Sequence, residues 1–273
     1  MYRVRKPAVA GYFYALKPDE LKRDINSYLA SSHIPVIVNK IFGIVTPHAG
    51  YLYSGKTAGY AYNLIKGAGI RTVVIIAPSH REYFPGISVY DGDAFETPLG
   101  MVPLNSIMCE KLTIESKFIY RGAEGHRDEH AVEVQLPFLQ IVLKEFDIVP
   151  IVMGDQGEKF ISELSLKLTE VVDDKTLIVA SSDLSHYHTK SKAFELDSVV
   201  ERRIINFEYE KLRDDVDNGK CEACGCGPIV TMMKSAAILH NNGSAVLNRS
   251  DSGDVSGDNK EVVGYLSAAI YGD

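Results

Sequence analysis

Four stretches of the chain are short, continuous apolar runs rich in valine and isoleucine: KIFGIVTP from Lys40, TVVIIAP from Thr72, DIVPIVMG from Asp147 and TLIVASS from Thr176. None alternates apolar with polar, so each predicts a strand covered on both faces. Helical patterns lie between them. PDELKRDINSYLASS carries Leu21, Ile25, Tyr28 and Leu29 at helical spacing behind an acidic start, and SGKTAGYAYNLIKGAG ends in glycines. EKFISELSLKLTEVV places Phe160 or Ile161, Leu164, Leu168 and Val171 on one side. CGPIVTMMKSAAILHNNG has proline in its first turn, turns Ile229, Met232, Met233, Ala236 and Leu239 or His240 inward, and stops at Asn-Asn-Gly. Its methionine pair reads as core packing. KEVVGYLSAAIYG predicts a closing strand, and the acidic, glycine-rich NRSDSGDVSGDN before it a solvated loop without EF-hand spacing.

This alternation predicts an α/β fold: a central, mostly parallel or mixed sheet with helices on both faces. No repeat, low-complexity tract or Pro/Ser-rich linker interrupts it, so residues 1–273 are expected to form a single domain. The net charge of −7, with no lysine/arginine stripe, argues against nucleic acid as a partner. No apolar stretch reaches the roughly 18 residues that span a bilayer. The basic N-terminus lacks a long apolar segment followed by a cleavage site, and the expected location is the cytoplasm. The absence of tryptophan and the presence of only three glutamines suit a thermophile.

Two strand ends raise a chemical question. VVIIAPSH delivers His80, and FGIVTPHAGYLYSG delivers His48, in equivalent places. In open α/β sheets, ligands sit outside the carboxyl ends of the strands. Read so, LIVASS adds Asp183, and His186 follows in DLSHYH, placed about one helical turn on so that both point into one site. Alone, His48 could cap a turn, His80 bond a loop carbonyl, and Asp183 cap a helix. Of four cysteines, Cys109 stands apart and Cys221, Cys224 and Cys226 crowd into CEACGC, with no second pair to make a zinc ribbon. The helix start just after Cys224 and Cys226 is expected to favour a thiolate, although position does not choose between them. Two imidazoles and one anionic ligand make a three-residue site with open positions, suited to non-haem Fe(II) and also to zinc or copper. HRDEHAVEVQLPF adds His126 and His130 as supporting or acid/base groups. His33, His188 and His240 receive no role.

The motifs PAVAGYFY, TPHAGYLYSG, APSH, FETPLG, DEHAVEVQLPF, SSDLSHY, ACGCGPI and VVGYLSAAI, in this order, resemble the Memo family, also called component B of the AmmeMemoRadiSam set. They extend from Pro7 to near the C-terminus. The resemblance implies a fold similar to class III extradiol ring-cleaving dioxygenases. It places metal ligands on His48, His80 and Cys224, with Asp183 and His186 lining the same pocket and His130 as a further pocket residue. Choosing Cys224 over Cys226 rests on it, and Cys221 and Cys226 keep no assigned role. The implied metal is Fe(II), with copper or zinc as alternatives. The dioxygenases use two histidines and a carboxylate. The softer thiolate here means that their activity does not follow from the fold. Open coordination positions beside an acid/base group nevertheless favour an enzyme, and the leading expectation is a metal-dependent, dioxygenase-like oxidoreductase in which His186 or His130 shuttles a proton and Asp183 orients it. The competing functions are a non-catalytic metal-binding interaction module and a zinc-type hydrolase. Implied partners are an unknown small-molecule substrate and, in prokaryotes, the Amme component and a radical SAM protein; animal members imply a phosphorylated receptor peptide.

Overall fold

The computed structural model describes residues 3–34 and 40–272. The first half contains β1 (Val4–Arg5), α1 (Pro18–Ser31), β2 (Lys40–Thr46), α2 (Tyr51–Leu64), β3 (Thr72–Pro78), β4 (Ile87–Tyr90), β5 (Ala94–Thr97), β6 (Gly100–Pro103), α3 (Ser106–Thr113) and β7 (Ile119–Gly122). A 3-10 turn, Glu133–Gln135, leads into α4 (Leu136–Val142), followed by β8 (Asp147–Met153), α5 (Glu158–Val171), β9 (Thr176–Ser181) and β10 (His186–His188). The chain then runs through α6 (Lys190–Ile205), α7 (Tyr209–Asp217), α8 (Cys226–Ile238), β11 (Gly243–Asp251), α9 (Gly253–Ser256) and β12 (Val262–Gly272).

The four predicted strands β2, β3, β8 and β9 form the centre of a mixed sheet ordered β10-β12-β2-β9-β3-β8-β4-β7, with β11 on β12. Within it β2, β9, β3 and β8 run parallel, while β12 lies antiparallel to β2 and β4 antiparallel to β8. Side chains alternate between faces along a strand. One face presents Val45, Val74, Ile76, Val149, Ile178 and Ala180 to α5 and α8. The other presents Ile44, Val73, Ile75, Ala77, Leu177 and Val179 to α1, α2 and α4. Both faces are therefore dry, which explains the unbroken valine and isoleucine runs. Met232 and Met233 are fully buried, as core packing requires. Met232 presses on β2 so closely that a Cβ at Gly43 would lie 2.3 Å from its sulfur and 2.8 Å from the Ile178 carbonyl.

Two expectations fail. Neither Leu239 nor His240 turns inward, because α8 ends at Ile238 and both residues beyond it are exposed. The stretch from Asn248 is not a solvated loop: its first four residues complete β11, Gly253–Ser256 form α9, and the Ser252 N–H donates to Val263 O at 2.9 Å. As a half-buried strand with β12 on one side, β11 tolerates Asn, Arg, Ser and Asp, and its strand signal is lost among them.

The N-terminal arm, carrying β1 in a small second sheet β1-β5-β6, is pinned from inside. Glu133 is fully buried; it pairs with Arg5 and accepts from the Ala8 N–H (2.7 Å), the Val9 N–H (3.0 Å) and the Tyr14 hydroxyl (2.5 Å). Arg5 in turn donates to the carbonyls of His126 and Glu129. The arm thereby holds the loop that feeds the candidate site.

Candidate metal centre

Register brings the strand ends together. Thr46 of β2 is level with Ser181 of β9, and β3 lies on the other side of β9 with Ile76 level with Ala180. His48 and Asp183 each follow two residues beyond these ends, and His80 two residues beyond Pro78. Three adjacent parallel strands thus deliver His48, Asp183 and His80 to one edge. Cys224, in the turn before α8, reaches the same place: its N–H donates to Asp183 O at 3.2 Å, and its Sγ accepts from the Asp183 N–H at 3.2 Å.

Ligand atoms of His48, His80 and Cys224 all lie within 4.8 Å of one another, with His48 Nε2 3.2 Å from Cys224 Sγ. An imidazole nitrogen and a thiolate on one tetrahedral ion lie ~3.6 Å apart, so the spacing suits a shared metal. The hydrogen bonds around the rings agree. Gln135 Nε2 faces the Pro47 carbonyl at 3.1 Å and its Oε1 accepts from Tyr62, which fixes its amide. It donates to Ser181 Oγ at 2.8 Å, and Ser181 Oγ spends its own proton on Ala131 O at 2.8 Å. The contact of 2.8 Å from His48 Nδ1 to Ser181 Oγ must then be donated by the ring. His48 is left with its Nε2 lone pair facing Cys224.

Glu129 does the same for His80. This buried carboxylate sits 2.9 Å from His80 Nδ1 and accepts from the backbone N–H of His80 (2.6 Å), His130 (2.9 Å) and Ala131 (3.0 Å). Burial opposes its ionisation, but the hydrogen bond and charge of His80 outweigh that and hold the carboxyl down at about 2. An ionised Glu129 draws the His80 proton to Nδ1 and frees Nε2, the arrangement in which a carboxylate orients a metal-binding imidazole. Ligand atoms of Glu129, His80 and His130 also lie within 4.8 Å, yet the four N–H donors already occupy that carboxylate, so it orients and does not ligate.

The expected site residues fare differently. His130 lines the cleft, stacked on His80 with ring centroids 4.9 Å apart at 27°, and is 5.4 Å from His48. Its Nδ1 is buried without a hydrogen-bond partner, 3.3 Å from Glu129 Oε1 but out of line with it. Burial, reinforced by the charge of His48, lowers its pKa to about 4, and burial, reinforced by His80, pushes His48 well below the usual range. His186 lines the same cleft of about 370 Å³ with Asp183, Phe13 and Tyr187. It does so from strand β10 and not from a helical turn, because residues 182–185 form no helix. No helix follows Asp183, so it caps none. Its Oδ1 accepts the His48 N–H at 2.8 Å, which makes it a support for His48 and not the orienting partner of His186. Burial raises its pKa. His126 is not in the cleft: its Nε2 donates to Ser88 O at 3.1 Å and its ring packs by Tyr90 and Phe95.

The expectation of a ready-made thiolate is also corrected. Burial, followed by the charge of Asp183, pushes the Cys224 thiol up despite the adjoining helix start. With His48 a weak base and the proton held on sulfur, Cys224 and His48 make a poor nucleophile pair; a cation is what would ionise this thiol. Cys226 and Cys221 are buried in the core, their thiols pushed up by burial to about 12 and about 11. The sequence reading missed Glu129, Ser181 and Gln135. Only Glu129 left a signal, as a carboxylate beside His130 in the quoted DEHAVEVQLPF.

Comparison with other proteins supports the motif reading. The chain is 36% identical over 266 residues to a MEMO1 family protein of Thermoplasma volcanium, covering 97% of each chain. A MEMO1 family protein of Thermoplasma acidophilum is 38% identical over 265 residues, covering 96% of this chain and 97% of its own. Among solved structures, an uncharacterized protein from Escherichia coli K12 shares the fold at 13% identity, with a TM-score of 0.51 over 72% of this chain and 85% of its own. The Memo-like protein family model matches residues 5–269, and the chain belongs to that family.

Proposed function

We propose that this Memo-family chain holds one transition metal at His48, His80 and Cys224, with Fe(II) as its native ion, and acts as a dioxygenase-like oxidoreductase on a small molecule. One observation carries the reading: ligand atoms of His48, His80 and Cys224 lie within 4.8 Å of one another, with His48 Nε2 3.2 Å from Cys224 Sγ, while Ser181 and Glu129 face the Nδ1 atoms of the two rings. The metal would supply Lewis-acid and redox capacity at open coordination positions. The chain's own groups do the rest. His186 or His130, both of which face the cleft, takes up and returns a proton, and Asp183 fixes the His48 backbone.

A non-catalytic metal-binding module is the second reading, favoured by a thiolate where the dioxygenases have a carboxylate. Under it, the Amme component and a radical SAM protein are the proposed partners. A zinc-type hydrolase would use the same ligands. Among the described residues no helix is long and apolar enough to cross a membrane. The test is anaerobic purification with metal analysis of the wild type, Cys224→Ser and Cys226→Ser. Metal lost in the first variant and kept in the second supports the site; equal retention refutes it. Oxygen consumption with candidate redox-active small molecules then separates enzyme from module.

A further inference from the structure

Glu222 lies in the cysteine-rich turn, two residues before Cys224, and none of the chemistry above uses it. Its carboxylate bonds twice to β10: Oε2 accepts the His186 N–H at 3.2 Å, and Oε1 accepts from His188 Nε2 at 2.8 Å. These two contacts flank Tyr187, whose φ of +61° is in the left-handed region that side chains with a Cβ rarely adopt. Tyr187 is 73% exposed at the cleft wall, so packing does little to hold it. Backbone bonds hold the flanks of β10, from the Leu184 N–H to Gly264 O at 2.8 Å and from the Lys190 N–H to Asn259 O at 3.0 Å, whereas the pairing of His186 and His188 with β12 is irregular between them, at Tyr187. One side chain thus clamps both neighbours of a strained residue.

We infer that Glu222 is a positioning residue that ties the Cys224 turn to the His186–Tyr187 arm, so that a metal held by Cys224 also fixes that arm over the cleft. Fixing Cys224 limits the motion of Glu222 two residues away, and Glu222 passes the restraint to His186 and Tyr187. By reciprocity, whatever orders the arm from inside the cleft strengthens metal retention. The metal-dependent half rests on the proposed ligand set, whereas the tether is a property of the metal-free chain. Because the Glu222 side chain is 43% exposed, replacing it leaves the fold intact.

The test is hydrogen exchange of the segment 184–190 in the full chain, with Zn2+ as a redox-silent probe. Without metal, Glu222→Ala should exchange there roughly tenfold faster than wild type, the effect of losing a hydrogen bond to a charged group. With Zn2+ at a hundred times its dissociation constant, openings that release Cys224 become roughly 100-fold rarer. The wild-type segment should slow by up to that factor. Glu222→Ala should bind Zn2+ as wild type does yet show no such slowing. Glu222→Gln should restore it, since its amide can accept from the His186 N–H and donate to a neutral His188 Nε2, a rescue that mere loosening of the turn would not give. Unchanged exchange in Glu222→Ala overturns the inference. So does loss of Zn2+ as complete as in Cys224→Ser, which would make Glu222 part of the metal site. A wild type that binds no Zn2+ refutes the ligand set and the metal-dependent half together, and the metal-free comparison then judges the tether alone.

Discussion

Replacing Arg5 with methionine tests how the N-terminal arm supports the site. The Arg5 and Glu133 side chains are 4% and 0% exposed, so solvent does not screen the pair. Removing the cation leaves a buried carboxylate with only the Ala8 and Val9 N–H groups and the Tyr14 hydroxyl, and strips a donor from the His126 and Glu129 carbonyls. Breaking one side of a buried pair costs about 3–5 kcal/mol. With a urea m-value of about 3 kcal/mol/M, the unfolding midpoint should fall by roughly 1–1.7 M. The control is Arg71→Met, whose partner Glu145 is 85% exposed and whose loss should cost less than about 1 kcal/mol. Because Arg5 also steadies the loop bearing Glu129, metal retention should weaken in the first variant and not in the second. Equal midpoints for the two variants would refute this reasoning.

Three further outcomes follow from the geometry. Glu129→Gln removes the charge that holds the His80 proton on Nδ1, and metal affinity by titration should fall about 10–100-fold with the fold retained. Burial lowers the pKa of His126 from 6.5 to about 4, so its contribution to stability is complete above pH 6.5 and is lost as pH falls through that window toward 4. The loss amounts to about 3 kcal/mol; His126→Gln should therefore lose less stability than wild type between those pH values, and parallel curves would contradict it. His186→Ala should keep metal and lose turnover, whereas His48→Ala should lose both; a His186 variant as metal-poor as the His48 variant would make His186 a ligand.

The central strands were readable because burial on both faces leaves no polar positions to confuse the pattern. His48 and His80 stood out because each closes such a run. The rest depended on chain pairings that local pattern does not encode. Ser181 matters only because β9 lies between β2 and β3, and Gln135 only because a 3-10 turn brings it under Pro47. Cys224 needed the family resemblance: Cys226, two residues on, is buried in the core while Cys224 turns to the site. β10 is three residues long, too short for any periodicity, so His186 was placed in the right cleft on the wrong kind of element.

X-ray absorption at the metal edge of the loaded protein tests the proposed ligand set most directly. The expected first shell contains one sulfur at about 2.3 Å and imidazole nitrogens at about 2.0–2.1 Å if zinc is loaded. The sulfur should vanish in Cys224→Ser and persist in Cys226→Ser. A first shell without sulfur, or a sulfur that survives Cys224→Ser, would contradict the His48–His80–Cys224 site.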